Sequence, residues 1–187
     1  MNHNYCSLWS GYYGSPRPHA SMGRGNLLFT SESVTCGHPD KLCDAISDAI
    51  VDACLSIDSA ARVAVETLVK SVDGKGYIVL AGEVTLNGPI PDYESIARET
   101  ASTIGYSDHA IGLDATSDTS CEIQQFITTQ AANIAQGVDR DGAGDQGLMF
   151  GYACTETENF DELKGRYFPL AAALSQRLTR RLKRVRE

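Results

Sequence analysis

Within Gly37-His38-Pro39-Asp40-Lys41 an imidazole, a carboxylate and an amine crowd the point where a helix is expected to begin. Pro39 suits the first helical position, because its missing N–H would find no partner there and its fixed φ already matches a helix. The free N–H groups that follow, with the positive end of the helix dipole, attract anions. Asp40 is itself an anion in that first turn, so a polyphosphate shares the place with it only through a divalent cation. Mg²⁺ favours such a mixture of carboxylate and phosphate oxygens. His38 and Lys41 supply donors on either side. A plainer alternative stays open, in which Asp40 only complements the dipole and His38 only caps the helix.

The elements that must position this cluster are legible on both sides of it. Asn26 to Thr30 reads as a short apolar strand entering the site. From Asp40 to Ile57, Leu42, Ala45, Ile46, Ala49, Ile50, Ala53 and Ile57 recur at three- and four-residue steps, which places them on one side of a helix. Asp44, Asp48 and Asp52 then face solvent. Two β-branched runs follow, Arg62 to Lys70 and Tyr77 to Leu86, and the Asp73-Gly74 pair between them marks a hairpin. Each run carries a carboxylate, Glu66 and Glu83, among apolar neighbours. Burial would demand a partner or a metal for each, whereas a strand edge would expose them at no cost. Gly82 allows a close approach to the backbone beside Glu83. Pro91 and Asp92 open a second helix that Gly105 ends, and Ser120 to Ile127 alternates as a further strand. The order β, α, β, β, α, β describes an α+β layer with helices on one face of a sheet.

The chain has 187 residues, 42% of them hydrophobic and 21% charged, which is a globular composition with room for one domain and part of another. A net charge of −8 argues against general binding of nucleic acid, which depends on neutralising many phosphates. No apolar run suggests a membrane span or an export signal. The six cysteines form no Cys-x-x-Cys pair, so a reducing cytoplasm is the expected location. Residues 1–25, rich in Gly, Ser, Tyr, Pro and Asn, read as a disordered N-terminal extension, and Met22 is an alternative start to Met1.

Gln130 to Gly147 changes character, with four glycines among Asp139, Arg140, Asp141 and Asp145 and almost no large apolar residue. Two readings stand for it, a surface connector and a lid over a polar site. Leu170 to Arg186 is a basic amphipathic helix, with Leu170, Leu174, Leu178, Leu182 and Val185 along one side. Packing on further parts of a fold is the expectation for it, against an anionic membrane or RNA.

Leu28-Phe29-Thr30-Ser31-Glu32-Ser33-Val34, the Gly37 to Lys41 element, Gln136-Gly137-Val138-Asp139-Arg140 and the run from Gly142 to Tyr152 together resemble S-adenosylmethionine synthetase, also called methionine adenosyltransferase. The likeness runs from Asn26 to the C-terminus. It implies the α+β fold of that family, with the first of three similar α+β repeats and the beginning of the second. In that scheme residues 26–128 are the N-terminal domain, 129–147 the gating loop and glycine-rich signature, and 148–187 the start of a truncated central domain. The resemblance implies an enzyme that joins ATP and L-methionine into S-adenosylmethionine, with release of phosphate and pyrophosphate and a need for Mg²⁺ and K⁺. It implies that His38 and Lys41 contact ATP, that Asp40 holds Mg²⁺ and Glu66 holds K⁺, and that Glu83 and Gln130 bind methionine. His38 and Asp145 would be catalytic, and Gln130, Gln136, Gly137, Asp139 and Arg140 would belong to the flexible loop. Family active sites form between paired subunits, so a homo-oligomer, dimer or tetramer, is expected, with neither nucleic acid nor membrane as partner.

Two departures accompany the likeness. The segment between Arg140 and Gly142 is shorter than in bacterial members, and the later basic residues that clamp the triphosphate are missing. The chain is therefore expected to be a fragment or a truncation. Competing readings are a non-catalytic partial subunit that associates with a full-length synthetase, and a small Mg²⁺-dependent polyphosphate-binding domain.

Overall fold

The computed structural model describes residues 29–129 and 147–186. The chain divides into Met1–Thr30, of which only Phe29 and Thr30 are described, and Ser31–Glu187. Phe29 and Thr30 are not in a strand, and the rest of the strand expected over Asn26 to Thr30, like the extension before it, lies outside the described residues.

Helix α1 spans Pro39–Ile57, with Pro39 at its start as expected. Leu42, Ile46, Ile50 and Cys54 recur every fourth residue and are fully buried, while Asp44, Asp48 and Asp52 face solvent. The stripe ends three residues earlier than its spacing suggested: Ile57 is 39% exposed and Cys54 takes the last core place. Strands β1 (Arg62–Val72) and β2 (Lys75–Thr85) form an antiparallel hairpin. Its turn is only Asp73-Gly74, with φ of 49° and 79°. Two successive positive φ values match the right-handed twist of the strands, and Asp-Gly tolerates them.

Helix α2 (Tyr93–Ile104) is capped by Asp92, which accepts from the Ser95 N–H, and is closed by Gly105 at φ 121°. Its buried positions are Tyr93, Ala97 and Ala101, and the two alanines let α1 approach. The short pair β3 (Ser107–Asp108) and β4 (Leu113–Asp114) flanks a 3₁₀ turn at His109–Ile111. Strand β5 (Cys121–Thr128) then runs parallel to β2, giving the sheet order β1-β2-β5.

One face of this sheet, carrying Val65, Ile78, Leu80, Val84 and Cys121, closes the core with α1 and α2. The other face carries Glu66, Leu68, Val79, Ala81, Glu83, Gln124 and Phe126 in register. This sheet with α1 and α2 is thus an α+β layer with both helices on one face.

The segment before the last helix is held by its own acids. The Glu158 carboxylate accepts from the N–H groups of Gly165 and Tyr167, and Glu156 accepts from that of Leu170. The fully buried Thr157 donates to the Phe168 carbonyl at 2.6 Å. Helix α3 (Leu170–Arg186) buries only Ala173, and Leu174, Leu178, Leu182 and Val185 remain exposed. Among the described residues no helix is long and apolar enough to cross a membrane.

Candidate active site

The turn leading into α1 is tied at three successive points. Lys41 Nζ donates to the Val34 carbonyl at 2.6 Å, the His38 N–H to the Thr35 carbonyl at 3.0 Å, and the Tyr106 hydroxyl to the Gly37 carbonyl at 2.5 Å. His38 is the helix cap, its Nδ1 accepting from the Asp40 N–H at 3.1 Å. With Nδ1 accepting, the ring nitrogen left to donate is Nε2, because Nδ1 cannot accept and carry a proton at once. The approach of Nδ1 to the Asp40 carboxylate, at 4.0 Å, is longer than the capping bond. The imidazole therefore offers one donor, Nε2–H, to an incoming oxygen.

Asp40 is 90% exposed, open to a ligand from solvent. Among the described residues no three His, Cys, Asp or Glu side chains come together as a metal cage. Asp40 fits Mg²⁺ in the form in which that ion is shared with substrate phosphates, through one or two carboxylates and retained waters. Lys41 has one of its three ammonium protons engaged by Val34, leaving two to face an anion. An open groove of roughly 570 Å³ beside it is lined by Glu32, Ser33, Lys41, Gln176, Thr179 and Arg180. Arg180, on α3, thus joins Lys41 as a second cation at this mouth. The sequence marked it only as one of many basic residues on an amphipathic helix.

Glu66 and Glu83 fall elsewhere. Glu66 pairs with Ala81 and Glu83 with Ala64, so both carboxylates stand on the outer face as diagonal neighbours across β1 and β2. Glu66 is exposed and Glu83 half-buried. The group that comes close beside Glu83 is the Ala64 carbonyl, which would stand 1.9 Å from any Cβ on Gly82. The exposed Glu66 carboxylate fits K⁺ as one ligand of a shell that other groups complete.

Helix α1 lies on the opposite side of the sheet and runs against β1, as Ser47 bonds Thr67 at 2.8 Å while Cys43 bonds the Val69 backbone. Val69 lies five residues from Ala64, the partner of Glu83, a span of about 17 Å at the rise of a strand. Among the described residues the His38–Asp40 turn, at the start of α1, and the Glu66–Glu83 pair therefore belong to opposite sides of the sheet. Gln130, Gln136, Gly137, Asp139, Arg140 and Asp145 lie outside the described residues.

Tyr106 carried no signal in the sequence beyond following the helix-ending Gly105. Burial raises its hydroxyl pKa, with the nearby Cys43 and Cys36 thiols adding to the effect, so it remains a donor. Burial likewise raises the Cys43 thiol, against the bond from Val69 that lowers it.

The family model for the N-terminal domain of S-adenosylmethionine synthetase matches residues 26–132, and that for its central domain matches residues 140–187. Curated relatives named S-adenosylmethionine synthase include one from Brachyspira hyodysenteriae, 45% identical over 175 residues, covering 87% of this chain and 41% of that protein. One from Nocardia farcinica is 47% identical over 178 residues, covering 87% and 40%. One from Roseiflexus castenholzii is 46% identical over 183 residues, covering 89% and 42%. The chain thus spans about two fifths of the length of the curated relatives it matches.

Proposed function

The chain belongs to the S-adenosylmethionine synthetase family, a family of transferases, and on that footing we propose that its protein makes S-adenosylmethionine from ATP and L-methionine. The succession of both family domains along one chain carries this reading. In the proposed reaction a lone pair on the methionine sulfur attacks the 5′ carbon of the ribose, the bond from that carbon to oxygen breaks, and triphosphate leaves with the electron pair. Hydrolysis of the triphosphate then gives pyrophosphate and phosphate. Such a displacement asks chiefly for alignment of two substrates and for donors where charge accumulates.

His38 Nε2–H and Lys41 are the donors we assign to the triphosphate, and Asp40 is the carboxylate assigned to Mg²⁺. When bound, Mg²⁺ would neutralise charge on the leaving oxygens. Glu66 is assigned to K⁺, Glu83 and Gln130 to methionine, Asp145 to the catalytic centre, and the segment from Gln130 to Arg140 to a gating loop. Residues 26–128, 129–147 and 148–187 are the proposed N-terminal domain, loop with signature, and start of the central domain. The separation of Glu83 from His38 favours a site completed by a second copy, so the proposed state is a homo-oligomer. Five free cysteines among the described residues suit the reducing cytoplasm proposed as its location.

The protein expressed from its genomic reading frame, incubated with ATP, methionine, Mg²⁺ and K⁺, is expected to form S-adenosylmethionine together with phosphate and pyrophosphate. A folded sample that forms none, or that breaks down ATP at the same rate without methionine, overturns the proposal.

A further inference from the structure

We infer that Tyr106 is a positioning residue for the candidate site, holding the Gly37–His38 peptide so that the imidazole caps α1 through Nδ1 and turns Nε2–H outward. The inference rests on the reading that this turn meets the triphosphate of ATP. Of the three bonds that fix the turn, those from Lys41 and His38 are local and move with it. Of these three, the Tyr106 bond, reaching across 69 residues, is the one that joins the turn to the segment after α2.

The prop is itself rigid. The Tyr106 N–H donates to the Ala101 carbonyl at the end of α2, and its carbonyl accepts from the buried Ala115 N–H at 2.9 Å. Backbone bonds thus grip Tyr106 on both sides, so the ring reaches the turn from a fixed point. Without the hydroxyl the Gly37 carbonyl loses this long-range donor, and the peptide preceding His38 is expected to rotate more freely. A rotated peptide misaims Nε2–H while leaving the core untouched.

Tyr106→Phe keeps the ring and removes the donor. In the nucleotide-free protein, ¹⁵N spectra of the histidine rings are expected to show His38 with an accepting Nδ1, and to show that state lost or mixed in the variant. Calorimetry with Mg·ATP is expected to give binding about three- to tenfold weaker, the size of one net hydrogen bond. The loss should vanish when His38→Ala is already present, since the two residues then act along one line. A folded Tyr106→Phe protein with an unchanged His38 signal overturns the inference. So does a loss of equal size in the His38→Ala background, which would mark a general structural defect. If the parent protein binds no Mg·ATP, the reading of the site fails, while the ring spectra still decide the role of Tyr106. Should the phenylalanine variant not fold, 3-fluorotyrosine encoded at position 106 keeps the bond with a more acidic donor. It is expected to shift the His38 ring signals, and no shift overturns the inference.

Discussion

Gly82 shows how strictly a single position is set by its neighbours. At φ 146°, any Cβ there would fall 1.9 Å from the Ala64 carbonyl oxygen, a backbone atom that cannot step aside without breaking the hairpin ladder. Gly82→Ala is therefore expected to destabilise the protein by more than the strained backbone alone, on the order of 1–3 kcal/mol, as read by chemical denaturation. At Asp40 the expectation concerns binding. The carboxylate is exposed and makes no demand on the core, so Asp40→Asn should leave the melting temperature nearly unchanged. It should weaken Mg²⁺-dependent ATP binding roughly tenfold or more, the worth of a charge-assisted contact. Binding unchanged in a titration with Mg·ATP would remove the residue from its assigned role. Glu83→Gln, on the other face, is expected to raise the methionine concentration needed for turnover while triphosphate hydrolysis continues. Steady-state kinetics with methionine as the varied substrate separate the two effects.

Among the elements, the connection from α1 to β1 depends on one carboxylate. Asp58 accepts from the Ala60 N–H at 2.9 Å and from the Asn87 N–H at 2.8 Å, tying the end of the helix to the turn after β2. These bonds, that from Asn87 foremost, hold the Asp58 pKa below its ordinary 3.8. Because the native value is depressed, the stabilisation is complete above the ordinary carboxylate value and fades as pH falls through the native one. Asp58→Ala should lower the melting temperature at pH 7, and the difference from the parent should shrink in acid. Thermal melts of both proteins between pH 7 and pH 2 check this, and a difference independent of pH would refute it. The anchor also shows what could be read in advance. Helix α1 and the Asp73-Gly74 hairpin were legible because their signals, a four-residue stripe and a turn that needs positive φ, are local. The Asp58–Asn87 and Tyr106–Gly37 bonds were not, since neither partner announces the other. Glu66 and Glu83 were left open because β1 and β2 carry apolar residues on both faces, so alternation alone could not say which face is covered. Cys54 replaced Ile57 in the core because the helix ends at Ile57, where Asp58 turns the chain away.

At the scale of the whole molecule, the outer face of the sheet is one of the surfaces on which the described residues leave large apolar side chains exposed. Leu68 is 57% and Phe126 61% exposed, and the register places Phe126 and Glu66 on either side of Ala81. An apolar patch rimmed by charge marks a contact surface rather than a wet one. The carboxylates assigned to K⁺ and methionine share that patch, while the turn assigned to ATP lies behind the sheet. Two copies joined through this face would cover Leu68 and Phe126 and supply further groups around Glu66 and Glu83. Phe126→Asp places a charge at the centre of such a contact, where desolvation opposes it, and among the described residues Phe126 is not part of the core or packed against it. The variant is expected to sediment as a monomer at concentrations where the parent is an oligomer, and to lose methionine-dependent turnover along with assembly. If it remained an oligomer with full turnover, the partner would sit on another surface, and the division of the site between the two faces of the sheet would need a different explanation.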